Sequence, residues 1–221
     1  MRKKLVLWIE IFIIVIMIFP CVILASKQSE VQEKTQIISK NENIVFLGDS
    51  IFDWFPVDKI FSDFPIVNSG IAGNTTNDLL KDLENRVYRY NPTKVFVQIG
   101  TNDIEWDDSD ELNEQVFNNI VEITKQIQKN RKRSKIYIIS IYPVNNNLPG
   151  AHDRHNSEIK AINSMLRKYC AETNGVEYID AFNQLTGEDG MLDTDYTDDG
   201  LHPNGLGYAK LTEILMKYIY E

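Results

Sequence analysis

The chain has 221 residues, 43% of them hydrophobic and 25% charged, ordinary values for a globular protein with one substantial core. A formal net charge of -9 repels phosphate backbones and argues against nucleic acid as a partner. The two cysteines, Cys21 in an N-terminal apolar run and Cys170 in an apparent helix, supply neither a framework disulfide nor the ligand spacing of a thiolate zinc site.

The first element in chain order is a membrane signal. A basic start, Met1-Arg2-Lys3-Lys4, precedes an almost uninterrupted apolar run over residues 5–25, about the ~20 residues that cross a bilayer. The positive flank predicts a cytoplasmic start and an extracytoplasmic remainder. Two readings of residues 1–25 stand side by side. One is an uncleaved single-pass anchor, with Glu10 close to the cytoplasmic surface; the other is a cleaved signal peptide whose apolar centre runs over residues 11–24. Pro20 and Phe19 before Cys21 are wrong for lipid attachment. Residues 26–42 are polar and without sustained apolar periodicity, which predicts a solvated linker, so the folded domain spans residues 43–221. Without Arg2, Lys3, Lys4 and Glu10 the balance is 20 basic against 31 acidic residues, more acidic still.

Short apolar runs rich in β-branched residues predict strands at 44–47, 66–68, 94–99, 135–141 and 176–179. Amphipathic stretches predict helices at 76–90, 110–129, 156–173 and 205–220. In the third of these Ile159, Ile162, Leu166 and Tyr169 repeat at helical spacing, and Asn174-Gly175 supplies a stop. Strands alternating with helices imply parallel pairing through right-handed crossovers, hence an α/β fold with three layers, helices on both faces of a five-stranded sheet. Ligands in such folds bind beyond the carboxyl ends of the strands. Those ends carry Gly48-Asp49-Ser50, then the stretch from Asn68 to Asn74, then Gly100-Thr101-Asn102-Asp103, and later Asp198-Asp199-Gly200-Leu201-His202-Pro203.

This ordered set resembles the SGNH hydrolases, or GDSL-type esterases and lipases, whose four blocks carry Ser, Gly, Asn and His in that sequence. The likeness runs from Asn43 to the C-terminus. It looks closest to the platelet-activating-factor acetylhydrolase-like and lysophospholipase-like branches, through residues 95–104 and 205–208. Ile51 departs from the literal GDSL string, and Asn74 stands where many relatives carry Asp. The resemblance implies a flavodoxin-like SGNH hydrolase fold and a serine esterase with no metal and no organic cofactor. Ser50 is the expected nucleophile. Of the three histidines only His202 belongs to a block that reaches the crevice, so it is the expected base, while His152 and His155 read as solvated loop residues. Asp199, three residues before His202 with Gly200 between, can turn its carboxylate onto the imidazole, and the family's Asp-x-x-His pattern selects it over Asp198. The resemblance supplies an oxyanion hole from the backbone N–H groups of Ser50 and Gly73 and the side-chain amide of Asn102.

Singly, each residue has a plainer role: Ser50 as a helix cap, Gly70 and Gly73 as turn glycines, Asn102 as an Asx-turn residue. Their conjunction favours catalysis. Trp54, Phe52, Phe55 and Trp106 are candidates for the wall of an acyl pocket, with core packing the expectation for the two phenylalanines and substrate contact for Trp54. The Arg131-Lys132-Arg133 cluster reads as a solvated helix end. The expected substrates are short-acyl esters of carbohydrates or lysophospholipid-type esters. A non-catalytic, membrane-tethered glycan-binding module and an aspartyl phosphatase using Asp49 or Asp53 are the rival readings.

Overall fold

The computed structural model describes residues 43–105 and 109–221, with Lys27 alone before them. The predicted anchor or signal, nearly all of the linker and Trp106 lie outside the described residues. No helix among the described residues is long and apolar enough to cross a membrane.

Five parallel strands, β1 (Ile44–Gly48), β2 (Ile66–Gly70), β3 (Lys94–Gln98), β4 (Lys135–Ile139) and β5 (Val176–Ile179), lie in the order β2-β1-β3-β4-β5. This is the doubly wound order of flavodoxin-like folds, with its switch point between β1 and β3. Side chains alternate across the sheet, as the period of two requires. Val45, Leu47, Val95, Val97, Ile136 and Ile138 face one core, and Ile44, Phe46, Phe96, Tyr137 and Ile139 face the other. Both faces are therefore covered. The first core is closed by α3 (Thr76–Lys81), α4 (Leu83–Arg86), α5 (Asp110–Asn130) and α6 (Asn156–Glu172). The second is closed by α1 (Ser50–Asp53), α2 (Val57–Ile60) and α8 (Gly205–Ile219), and α7 (Phe182–Leu185) follows β5. The three-layer α/β/α arrangement agrees with the sequence expectation.

Within the helix expected over 76–90 the chain breaks twice, at Asp82 (φ -134°) and Val87 (φ -133°), and ends in a 3-10 turn, Tyr88–Tyr90. Leu79, Leu83 and Val87 are buried in the first core at steps of four residues. A straight α-helix advances 100° per residue, so each such step would swing the next side chain about 40° off the sheet. The breaks keep all three on it. Arg131 likewise departs from the solvated reading: its guanidinium donates to the Tyr88 carbonyl at 3.1 Å through Nε and lies over the Tyr88 ring.

The neighbourhood of Ser50 is anchored by aromatic packing. Phe52 stacks on Phe46 with centroids 4.9 Å apart, Phe55 stacks on Tyr208 at 5.0 Å, and Tyr208 Oη donates to the Ile51 carbonyl at 3.0 Å. The two phenylalanines belong to the core, as expected, and so fix α1 between β1 and α8. Gly70 is needed for close approach, since a Cβ there would lie 2.2 Å from the Asp53 nitrogen.

Candidate active site

Parallel strands deliver all their carboxyl ends to one edge, and the four blocks meet there. Asp49 takes the helix cap, accepting the Ile51 N–H at 3.0 Å, which leaves Ser50 as the first residue of α1 with its hydroxyl uncommitted to capping. Ser50 Oγ instead lies 3.0 Å from His202 Nε2. His202 Nδ1 is 2.6 Å from Asp199 Oδ2, so one carboxylate oxygen faces the imidazole. The other, Oδ1, accepts the backbone N–H groups of Leu201 and His202, both at 2.8 Å. Partial burial works to raise the Asp199 carboxyl, but the hydrogen bonds from His202 and from these two N–H groups outweigh it and hold the group below the usual carboxylate range. An ionised Asp199 fixes the Nδ1–H tautomer and leaves Nε2 to accept a proton. Asp198 points elsewhere, toward the Asn204 amide at 3.4 Å.

The turn that makes this possible is local. Gly200 sits at φ +92°, and a Cβ there would come within 2.6 Å of the Asn145 carbonyl. Thr197 pairs with Pro203 across the loop, and its hydroxyl donates to the His202 carbonyl at 2.8 Å while accepting the Gly200 N–H at 2.9 Å. The Asn204 side chain then caps α8.

Gly73 lies at φ +78°, so conformation rather than crowding calls for glycine: a Cβ would meet nothing within 4 Å. Asn102 is held at both ends. Its Nδ2 donates to the Asn74 carbonyl at 2.9 Å, and its Oδ1 accepts from Arg154 at 3.3 Å. The second amide hydrogen of Asn102 and the N–H groups of Ser50 and Gly73 have no protein acceptor among the described residues. These are the three expected oxyanion donors.

Two buried arginines, neither singled out from the sequence, hold the three loops together. Arg86 donates to the Gly48 carbonyl at 2.9 Å, to the Ser69 carbonyl through Nε at 3.1 Å, and to Asn74 Oδ1 at 2.5 Å. It thereby ties the ends of β1 and β2 to the residue whose carbonyl holds Asn102. Arg154, 2% exposed, donates to the Thr101 carbonyl at 2.8 Å and pairs with Glu105 at 3.1 Å. A guanidinium's fixed fork suits such multiple tethers. Arg154→Met should lower turnover on the order of tenfold to a hundredfold by freeing the Asn102 amide, with the folded state retained in circular dichroism.

Asp49, next to Ser50 in the chain, is fully buried. Burial, with a lesser push from the Asp103 charge, raises its carboxyl to about 7 against the opposing Ile51 N–H bond. Because the folded value lies above the ordinary 3.8, the stabilisation is complete below that ordinary value and is lost as pH rises through about 7. Thermal unfolding should show the wild type losing stability across that window relative to Asp49→Asn, in which no charge is buried; parallel curves for the two proteins would contradict this. A fully buried Asp49 does not suit the phosphatase reading, and Asp53 accepts the Ala72 N–H at 3.1 Å.

The cleft over Ser50 has a volume of about 320 Å³ and is lined by Trp54, Gly73, Asn102, Glu105, Arg154 and His202 among others. Trp54 is 53% exposed and packs on the His202 ring, with centroids 4.2 Å apart. His152 is exposed, as the solvated reading expects, and also lines the cleft, 3.9 Å from Glu105. His155 stays exposed before α6. No cluster of three or more potential ligands for a metal ion occurs among the described residues.

A fold of this order and a site of this make-up define an ester hydrolase, and the GDSL-like Lipase/Acylhydrolase family matches residues 46–210. The chain belongs to that family and is a carboxylic ester hydrolase. It is 26% identical over 187 residues to the platelet-activating factor acetylhydrolase IB subunit alpha2 of Homo sapiens, covering 82% of this chain and 78% of that one. It is 32% identical over 184 residues to the N-acylneuraminate cytidylyltransferase of Escherichia coli O18:K1:H7, covering 83% of this chain but 42% of the E. coli protein, so it spans less than half of that relative. A solved structure from Streptococcus pneumonia, provisionally named a platelet activating factor, superposes with a TM-score of 0.75 at 32% identity, over 89% of this chain and 94% of that one.

Proposed function

We propose that the chain hydrolyses short-acyl esters, of the acetyl type, through a covalent acyl-enzyme on Ser50. The observation that carries this reading is the continuous relay from Ser50 Oγ to His202 at 3.0 Å and on to Asp199 at 2.6 Å. Ser50 Oγ attacks the ester carbonyl as its proton passes to His202 Nε2. The resulting oxyanion takes hydrogen bonds from the N–H groups of Ser50 and Gly73 and from the Asn102 amide. His202 returns the proton to the departing alcohol, and water, deprotonated in turn by His202, releases the acid. The acetylhydrolase among its relatives supports a short acyl group, and the polar side chains lining the cleft, Asn102, Glu105, His152 and Arg154, support an alcohol from a carbohydrate over a lysophospholipid-type ester.

The apolar run over residues 5–25 behind a basic start supports an extracytoplasmic domain, anchored by a single span or released after cleavage. Acyl-chain profiling on nitrophenyl esters tests the substrate half of the proposal. Specific activity should peak at acetyl or propionyl and fall at least about tenfold by octanoyl, because an added methylene gains binding only where an apolar surface receives it. A profile rising toward long chains would contradict it.

A further inference from the structure

The cleft is wider than an acetyl group needs, and its lining is mixed in chemistry. Besides the His202 imidazole, Trp54, Ala72 and Leu201, it includes Glu105, His152 and Arg154. Arg154 fastens Glu105 Oε2 at 3.1 Å, while Oε1 lies 3.9 Å from His152 Nε2. The Glu105 side chain keeps 22% of its surface exposed.

We propose that Glu105, with His152 beside it, is the subsite for the alcohol half of the ester and takes a neutral, polyhydroxylated alcohol such as a sugar ring. The inference rests on the short-acyl reading above. With a small acyl group at the oxyanion donors, most of the roughly 320 Å³ cleft is left for the other half of the substrate. A hydrocarbon laid there would strip water from an ion pair without replacing its hydrogen bonds, which is costly. Hydroxyl groups replace them, since a carboxylate accepts from several donors at once. Trp54, half-exposed in the lining of the same cleft, offers the C–H face of a ring an apolar surface, in the way aromatic side chains with one wet side commonly serve. A phosphate-bearing alcohol is disfavoured by Glu105 itself and by the chain's net charge of -9.

The test compares kcat/KM for a methyl glycoside bearing one acetyl ester with that for p-nitrophenyl acetate, whose leaving group offers no array of hydroxyls. In Glu105→Ala both values fall, because Arg154 loses its partner, but the ratio of sugar ester to nitrophenyl ester should fall a further tenfold or so, mainly through KM. Glu105→Gln should recover part of that ratio. His152→Asn, which tolerates the backbone φ of +49° at that position, should lower the ratio in the same sense by a smaller factor and serves if Glu105→Ala does not fold. An unchanged ratio in both Glu105→Ala and His152→Asn, or a ratio that rises, overturns the subsite. Failure of the wild type to cleave p-nitrophenyl acetate at all overturns the esterase reading first and this inference with it.

Discussion

Ser50→Ala should reduce hydrolysis of p-nitrophenyl acetate by about four orders of magnitude or more, measured as kcat under saturating substrate. The size follows from how the relay is built. An alanine at position 50 removes the hydroxyl that lies 3.0 Å from His202 Nε2, so neither the imidazole nor Asp199 behind it has an alcohol to activate. The fold should be indifferent to the change, because Asp49 and not Ser50 caps α1 and the helix is held by Phe52 and Phe55. Unfolding temperature therefore separates lost chemistry from lost structure: it should move by no more than a few degrees.

The second large effect belongs to Asn102. Asn102→Ala should lower kcat on the order of a hundredfold to a thousandfold, with a smaller change in KM, since the amide serves charge that develops only as the carbonyl is attacked. Its orientation is set in advance by the Asn74 carbonyl on one side and Arg154 on the other, so no reorganisation is needed at the moment of reaction. Asn102→Asp is the sharper comparison: it keeps the shape and replaces the donor by an acceptor, and should be at least as damaging. A KM effect with unchanged kcat would place Asn102 in ground-state binding instead.

Much of this was legible in the sequence because it depends on local pattern. The alternation of β1, β3 and β4 between two apolar cores follows from a period of two, the placement of Ser50, Gly73 and Asn102 at one edge follows from parallel strands, and that of His202 follows from the family's block pattern. Asp199 and His202 could be paired because three residues and a glycine make a tight turn. What escaped was set by distance in space. Arg86 reads as one more charge on a helix, yet it reaches across to Gly48, Ser69 and Asn74. Arg154 lies in a loop between two histidines, where nothing in the sequence announces that it will be buried against Thr101 and Asn102. His152 is exposed as a loop residue should be, but its place in the cleft lining is not legible in the sequence, since residues 149–151 pack against the Asp199 turn through the Gly150 N–H, which donates to the Asp199 carbonyl at 2.7 Å.

The account turns on Ser50 being an activated nucleophile, and covalent labelling reads that property directly. Incubating the protein with a fluorophosphonate and mapping the adduct by peptide mass spectrometry should give one modified residue, Ser50, with labelling lost in His202→Ala and blocked by a competing acetyl ester. An unlabelled Ser50 in folded protein, or equal labelling when His202 is replaced, would contradict the account.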